Sequence, residues 1–228
     1  MQKGKKFFNI IIIIITLALI SAVGYIAYYY ISDYISLKEA EQAVDEYEKQ
    51  VIVVEFDENQ QNNNEQVPNE PNEQQTTTSS TKKSSGVYYK NYSMIGTIHI
   101  PKTRVKIPIV DKVTTQSIVS AAAVLYGPGL NEIGNTVIVG HNYRNGTYFS
   151  NNKKLELGDK IYIVDSTGNK VEYMIYNKYE TLDTDFSYAT RNTEGKREIS
   201  ISTCTTDASK RLVIWAKETI ESIDKEER

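Results

Sequence analysis

From Phe7 to about Ala27 the chain is apolar almost without interruption, with Ile10 to Ile15 at the centre and no charged residue inside. About twenty helical residues at ~1.5 Å each reach ~30 Å, the thickness of a bilayer's hydrocarbon. The pattern therefore predicts a transmembrane helix over 7–30, with Tyr25, Tyr28, Tyr29 and Tyr30 as an interfacial aromatic belt. Charged residues then alternate with Leu37, Ala40, Val44, Tyr47 and Val51 at spacings of three and four, which predicts an amphipathic helical stalk over 31–54. Over 55–87 the chain is almost entirely Asn, Gln, Glu, Thr, Ser and Pro, too polar to bury, and reads as a disordered spacer. Beyond it the apolar period shortens to two. Strand-like runs fall at 95–100, 105–110, 135–139, 160–164, 171–179, 198–203 and 212–217. Turn clusters such as Gly127-Pro128-Gly129, Leu157-Gly158-Asp159 and Ser166-Thr167-Gly168-Asn169 separate them. Short helices are expected at 115–122 and 148–154. One folded all-β domain, a barrel or sandwich, is thus expected over 88–220, followed by a charged tail at 221–228.

Charge adds an orientation. Lys3, Lys5 and Lys6 lie in the six residues before the apolar run, whereas Asp33 and Glu39 follow it. The positive-inside rule puts residues 1–6 in the cytoplasm and the rest of the chain outside, a single-pass type II arrangement. A cleaved signal peptide is the competing reading, but the run exceeds the usual apolar core of such peptides and no small-residue cleavage site precedes a polar stretch. The formal net charge of −3 leaves no basic footprint for nucleic acid. A single cysteine excludes an internal disulfide, and with two histidines it makes a poor metal-ligand set, so neither metal nor cofactor is expected.

That cysteine, Cys204, ends the run Ile199-Ser200-Ile201-Ser202-Thr203, and Arg211 opens Leu212-Val213-Ile214-Trp215-Ala216 seven positions on. If the two runs form a hairpin closed by 205–210, Cys204 and Arg211 oppose each other with Cβ atoms about 4.5–5.5 Å apart. Upstream, Thr136-Val137-Ile138-Val139-Gly140 delivers His141 at another strand end. A free thiol has a pKa of ~8.5, and a neighbouring cation favours the nucleophilic thiolate. Cys204 as nucleophile, His141 as proton donor to a leaving amine and Arg211 as oxyanion clamp would form a set for acyl transfer.

The set resembles that of the sortases, cysteine transpeptidases of Gram-positive cell surfaces. Their Thr-Leu-x-Thr-Cys motif, followed by an arginine, is matched by Ser200-Ile201-Ser202-Thr203-Cys204 with two conservative departures, and Gly140-His141 stands roughly sixty residues earlier, as in the family. The resemblance covers about 92–217. It implies a closed eight-stranded β-barrel with short helices behind an N-terminal transmembrane anchor. It implies cleavage of a Leu-Pro-x-Thr-Gly-like sorting signal between Thr and Gly, a thioester on Cys204, and transfer of the surface protein to an amine such as a peptidoglycan precursor or another surface protein. It also implies a part for Thr203 in the substrate or oxyanion site. The family's pilin-polymerising members carry a second span and an Asp-Pro-aromatic lid, which the pattern here lacks, so a protein-anchoring type is expected.

Other residues read more plainly. His99 lies mid-strand and is expected to be a strand residue; Asp207 is expected to be a loop residue and Trp215 a core one. Asn142, Tyr143 and Arg144 are placed to line a cleft, and Asp183 with Asp185 are too few carboxylates for calcium. An L,D-transpeptidase would carry its arginine two residues after the cysteine, where Thr206 stands. The remaining alternative is a membrane-tethered β-barrel binding module whose cysteine is incidental.

Overall fold

The computed structural model describes residues 2–61 and 86–219, so most of the polar spacer and the charged tail lie outside the described residues. Helix α1 (Gln2–Gln61) is continuous. The chain divides into two compact units, one ending at Glu39 and one beginning at Ala40. In the first unit, apolar side chains from Phe8 to Ile35 are exposed, Leu19 and Ile20 by 63% each. The stretch Phe8–Val51 is long and apolar enough to cross a membrane.

The second unit opens on the last turns of α1. Ala40, Val44, Tyr47 and Val51 follow the helical repeat and are all buried. Beside them the hydroxyl of Thr97 donates to Glu48 Oε1 at 2.8 Å, and Lys106 Nζ donates to Asp45 Oδ1 at 2.5 Å. Those partners lie on strands β2 (Tyr92–Ile100) and β3 (Val105–Val110), so this helical face belongs to the barrel's packing. Tyr47→Ala is expected to cost about 3 kcal/mol, the range for emptying a buried aromatic site. A chain trimmed to start at Tyr88 loses the whole face, and both forms should melt below the full chain in detergent.

Two-residue β1 (Tyr88–Tyr89) pairs with β2. After β3 come α2 (Thr115–Ser120), β4 (Ala122–Tyr126) and β5 (Gly134–Val139). A 3₁₀ helix (Phe149–Lys154), β6 (Lys160–Asp165), β7 (Lys170–Leu182), β8 (Arg197–Cys204) and β9 (Lys210–Glu218) complete the domain. The hydrogen-bonded order is β1-β2-β3-β4-β5-β8-β9-β7-β6, and β6 pairs back onto β2. Strands β2 to β9 therefore form the closed eight-stranded barrel expected from the sequence, with β1 appended.

One strand differs from expectation. The helix expected over 115–122 stops at Ser120, and Ala122–Tyr126 is β4, parallel to β3 and antiparallel to β5. Thr114 and Ser117 start α2 with reciprocal side-chain to backbone bonds. Ala121 then turns extended, and Ala122 and Ala123 are fully buried in the wall. Alanine's helical preference yields here to the unfilled gap between β3 and β5.

Ile199 and Ile201 of β8 and Ile214 of β9 are buried, and adjacent positions point to the opposite sheet face. That opposite face carries Ser200, Ser202 and Cys204 on β8, and Arg211, Val213 and Trp215 on β9. The loop over 183–196 covers part of it, for Tyr188 and Ala189 cluster with Val137 and Val213. Asn135 Nδ2 donates to the carbonyls of Tyr188 and Ala189 at 2.9 and 3.0 Å. Arg191 pairs with Glu198 and lies 4.7 Å over the ring of Trp215. The strand that ends in Cys204 is thus buried on both sides.

Candidate active site

Cys204 is the last residue of β8 and Arg211 the second of β9, and the antiparallel register pairs them directly. Both are half-buried, and Arg211 Nη1 donates to Cys204 Sγ. The connecting loop is closed by Thr205 N to Lys210 O at 3.0 Å. Asp207 accepts from Thr205 Oγ1 at 2.6 Å and from Ser209 Oγ at 2.7 Å, which holds its carboxyl below the usual range. It fastens the loop, as expected of a loop residue.

Strand β5 runs parallel to β8 with Val139 opposite Ser202, and Gly140 N continues the ladder to Ser202 O at 3.4 Å. Beyond Gly140 the chain leaves this ladder, which ends one residue before His141. Thr203, on the face opposite the thiol, is buried and donates its hydroxyl to Gly140 O at 2.8 Å. Gly140 has no room for a side chain, because a Cβ there would lie 2.6 Å from the ring of Phe149. Phe149 is fully buried, and its N–H donates to His141 O at 3.2 Å. A glycine before the histidine thus lets the chain press onto Phe149 as it leaves the strand.

The imidazole of His141 is half-buried and meets the ring of Tyr143 edge-on, with centroids 4.4 Å apart. Tyr143 donates its hydroxyl to Val119 O in α2. Burial, and secondarily the charge of Arg144, lowers the pKa of His141 from its ordinary 6.5. His99 is lowered as well, by burial and then by Lys106 and Lys170. The unfolded chain therefore binds protons near pH 6.5 that the folded histidines take up only at lower pH, so stability rises with pH across that window. Acidification from about pH 7.5 to about pH 5.5 should lower the melting temperature, and a His99→Gln, His141→Gln double variant should flatten the dependence.

His99 lies elsewhere on the barrel, opposite Lys106 and Tyr162 on β2's two neighbours. Trp215 is packed beneath Arg191. Asp185 accepts from Thr181 Oγ1 and from Ser187 N at 2.9 Å and shapes its own turn. Among the described residues, no group of three His, Cys, Asp or Glu could hold a metal ion. Asn142 stands nearer the chemistry than its sequence position alone indicates, for its Nδ2 donates to Cys204 O at 2.8 Å. Asn135, Tyr188 and Arg191, which fix the covering loop, were not singled out in the sequence. The one available signal is the polar row Glu198, Ser200 and Ser202 leading to the lone cysteine, which these residues cover.

Known proteins share this arrangement of strands. A family model described as the sortase domain matches residues 98–219. Sortase A of Bacillus anthracis is 33% identical over 125 residues, which are 54% of this chain and 58% of that protein, so the chain spans a little over half the length of this curated relative. Among solved structures, a lid mutant of sortase A from Corynebacterium diphtheriae superposes with a TM-score of 0.53 at 26% identity, over 59% of this chain and 74% of that one. The pilus-related sortase C of Group B Streptococcus gives 0.52 at 28% identity, over 56% and 68%. These matches span sortase classes and do not separate them. With the closed barrel and the family model extending over more than half of its residues, the chain belongs to the sortase family.

Proposed function

We propose that this protein is a membrane-anchored cysteine transpeptidase that cleaves a Leu-Pro-x-Thr-Gly-like sorting signal and joins the carried protein to an amine. The observation that carries the reading is the guanidinium of Arg211 on the sulfur of Cys204, across a strand pair flanked by the strand that delivers His141. Cys204 gives its proton to His141 and attacks the carbonyl carbon of the Thr-Gly bond, whose oxygen gains the negative charge. Arg211 hydrogen-bonds that oxygen through its planar guanidinium. His141 gives its proton to the departing glycine amine, and its lowered pKa makes the protonated form a stronger acid for this step. The thioester is released when an acceptor amine, such as that of a peptidoglycan precursor, attacks it. Only the backbone of Thr203 borders the substrate site, since its buried hydroxyl is engaged on Gly140 on the face away from the thiol. The exposed apolar helix supports anchoring, and the lysines before it support a type II orientation with the barrel outside the cell.

The test uses the full chain in detergent with a panel of sorting-signal peptides and mass spectrometry. A covalent acyl adduct on Cys204 that an added amine clears supports the transpeptidase. No adduct with any peptide, together with a folded-state thiol inert to alkylation, supports the binding module instead.

A further inference from the structure

We propose that Asn142 is a positioning residue that sets the imidazole of His141 against the thiol, a role that rests on the transpeptidase reading above. The argument starts from the parallel ladder. Gly140 N bonds Ser202 O, and the next rung of a regular parallel pair would take residue 142's N–H to Cys204 O. Instead the rung is made by the side chain, Asn142 Nδ2 to Cys204 O at 2.8 Å. The backbone of 141 and 142 is thereby released from the sheet without orphaning the carbonyl of the nucleophile.

The other end of the same amide is also used. Asn142 Oδ1 accepts from Arg144 N at 3.0 Å, which fixes the turn just beyond His141. The residue bridges to Tyr148, whose hydroxyl donates to Ser120 O at 3.1 Å. One side chain therefore spans the thiol-bearing strand end and the imidazole-bearing loop. Aspartate has the same shape but no donor for Cys204 O, glutamine is one carbon longer, and alanine makes neither bond.

The test compares wild type, Asn142→Ala and Asn142→Asp as full chains in detergent. Three quantities are read: acylation kinetics with a sorting-signal peptide, the pH dependence of Cys204 alkylation by iodoacetamide, and thermal melting. Both variants are expected to lose about 10- to 100-fold in kcat with KM little changed, the usual cost of removing a supporting contact. Their melting temperatures should stay near wild type, since the site is half-buried. Loss of the imidazole's placement should shift the pH profile of Cys204 alkylation in both variants, and further toward high pH in Asn142→Asp, which keeps the bond to Arg144 but adds a negative charge beside His141. A wild type that acylates and an Asn142→Ala variant matching it in kcat and alkylation profile would overturn the positioning role alone. A wild type that forms no adduct, with alkylation that still responds to Asn142→Ala, would overturn the transpeptidase reading and leave the positioning intact.

Discussion

Cys204→Ala is expected to remove all turnover while the barrel remains folded. The thiol is the only one in the chain, so no other side chain can carry a thioester. The substitution exchanges one small residue for another at a half-buried strand end. The register with Arg211 is kept by the neighbouring pairs Thr203–Leu212 and Ser202–Val213, which lie in the buried wall. Melting temperature should stay within a few degrees, since a single methyl-sized change at such a site costs about 1 kcal/mol or less. The check is single-turnover incubation with peptide followed by intact-mass measurement. Any acyl adduct on the alanine variant would place the nucleophile elsewhere and end the proposed mechanism.

His141→Ala is expected to follow closely, with acylation slower by about 10²- to 10⁴-fold, the range that a positioned general acid or base contributes. Here too folding should survive, because the loop's anchors do not use the imidazole: the His141 carbonyl accepts from Phe149 N, and Asn142 holds Cys204 O. A substrate whose leaving group needs no proton separates chemistry from structure. If His141 only supports the loop, the variant will be equally slow toward an activated ester and a peptide. If it protonates the leaving amine, the ester will recover most of the rate.

The long apolar helix and most barrel strands could be read from apolar periodicity because each is a local pattern of one face or none. The β8–β9 hairpin with Cys204 facing Arg211 was legible for the same reason, being a pairing over a short loop. Strand β4 was not, because Ala121, Ala122 and Ala123 carry no alternation and their burial is decided by β3 and β5 on either side. The covering loop was also hidden. Ser200 and Ser202 alternate with isoleucines as residues of a solvent-facing row do, yet both are buried beneath Tyr188 and Arg191. Asn142 was read only as a residue near the cleft, because its partner lies 62 positions away and no local rule links the two.

The difference between these two kinds of contact bears on the order in which the site comes into being. The Cys204–Arg211 pair spans 7 residues, and the Asn142–Cys204 rung spans 62. On logarithmic loop-closure scaling the longer one carries about 2 kcal/mol more entropic cost before any contact repays it. The thiol should therefore meet its guanidinium early in folding and its imidazole late, when the parallel β5–β8 pairing forms. Until that last pairing, the folding chain would hold the thiol beside Arg211 alone. In a pulse-alkylation refolding experiment, Cys204 should show two successive reactivities, and the second should appear together with barrel closure.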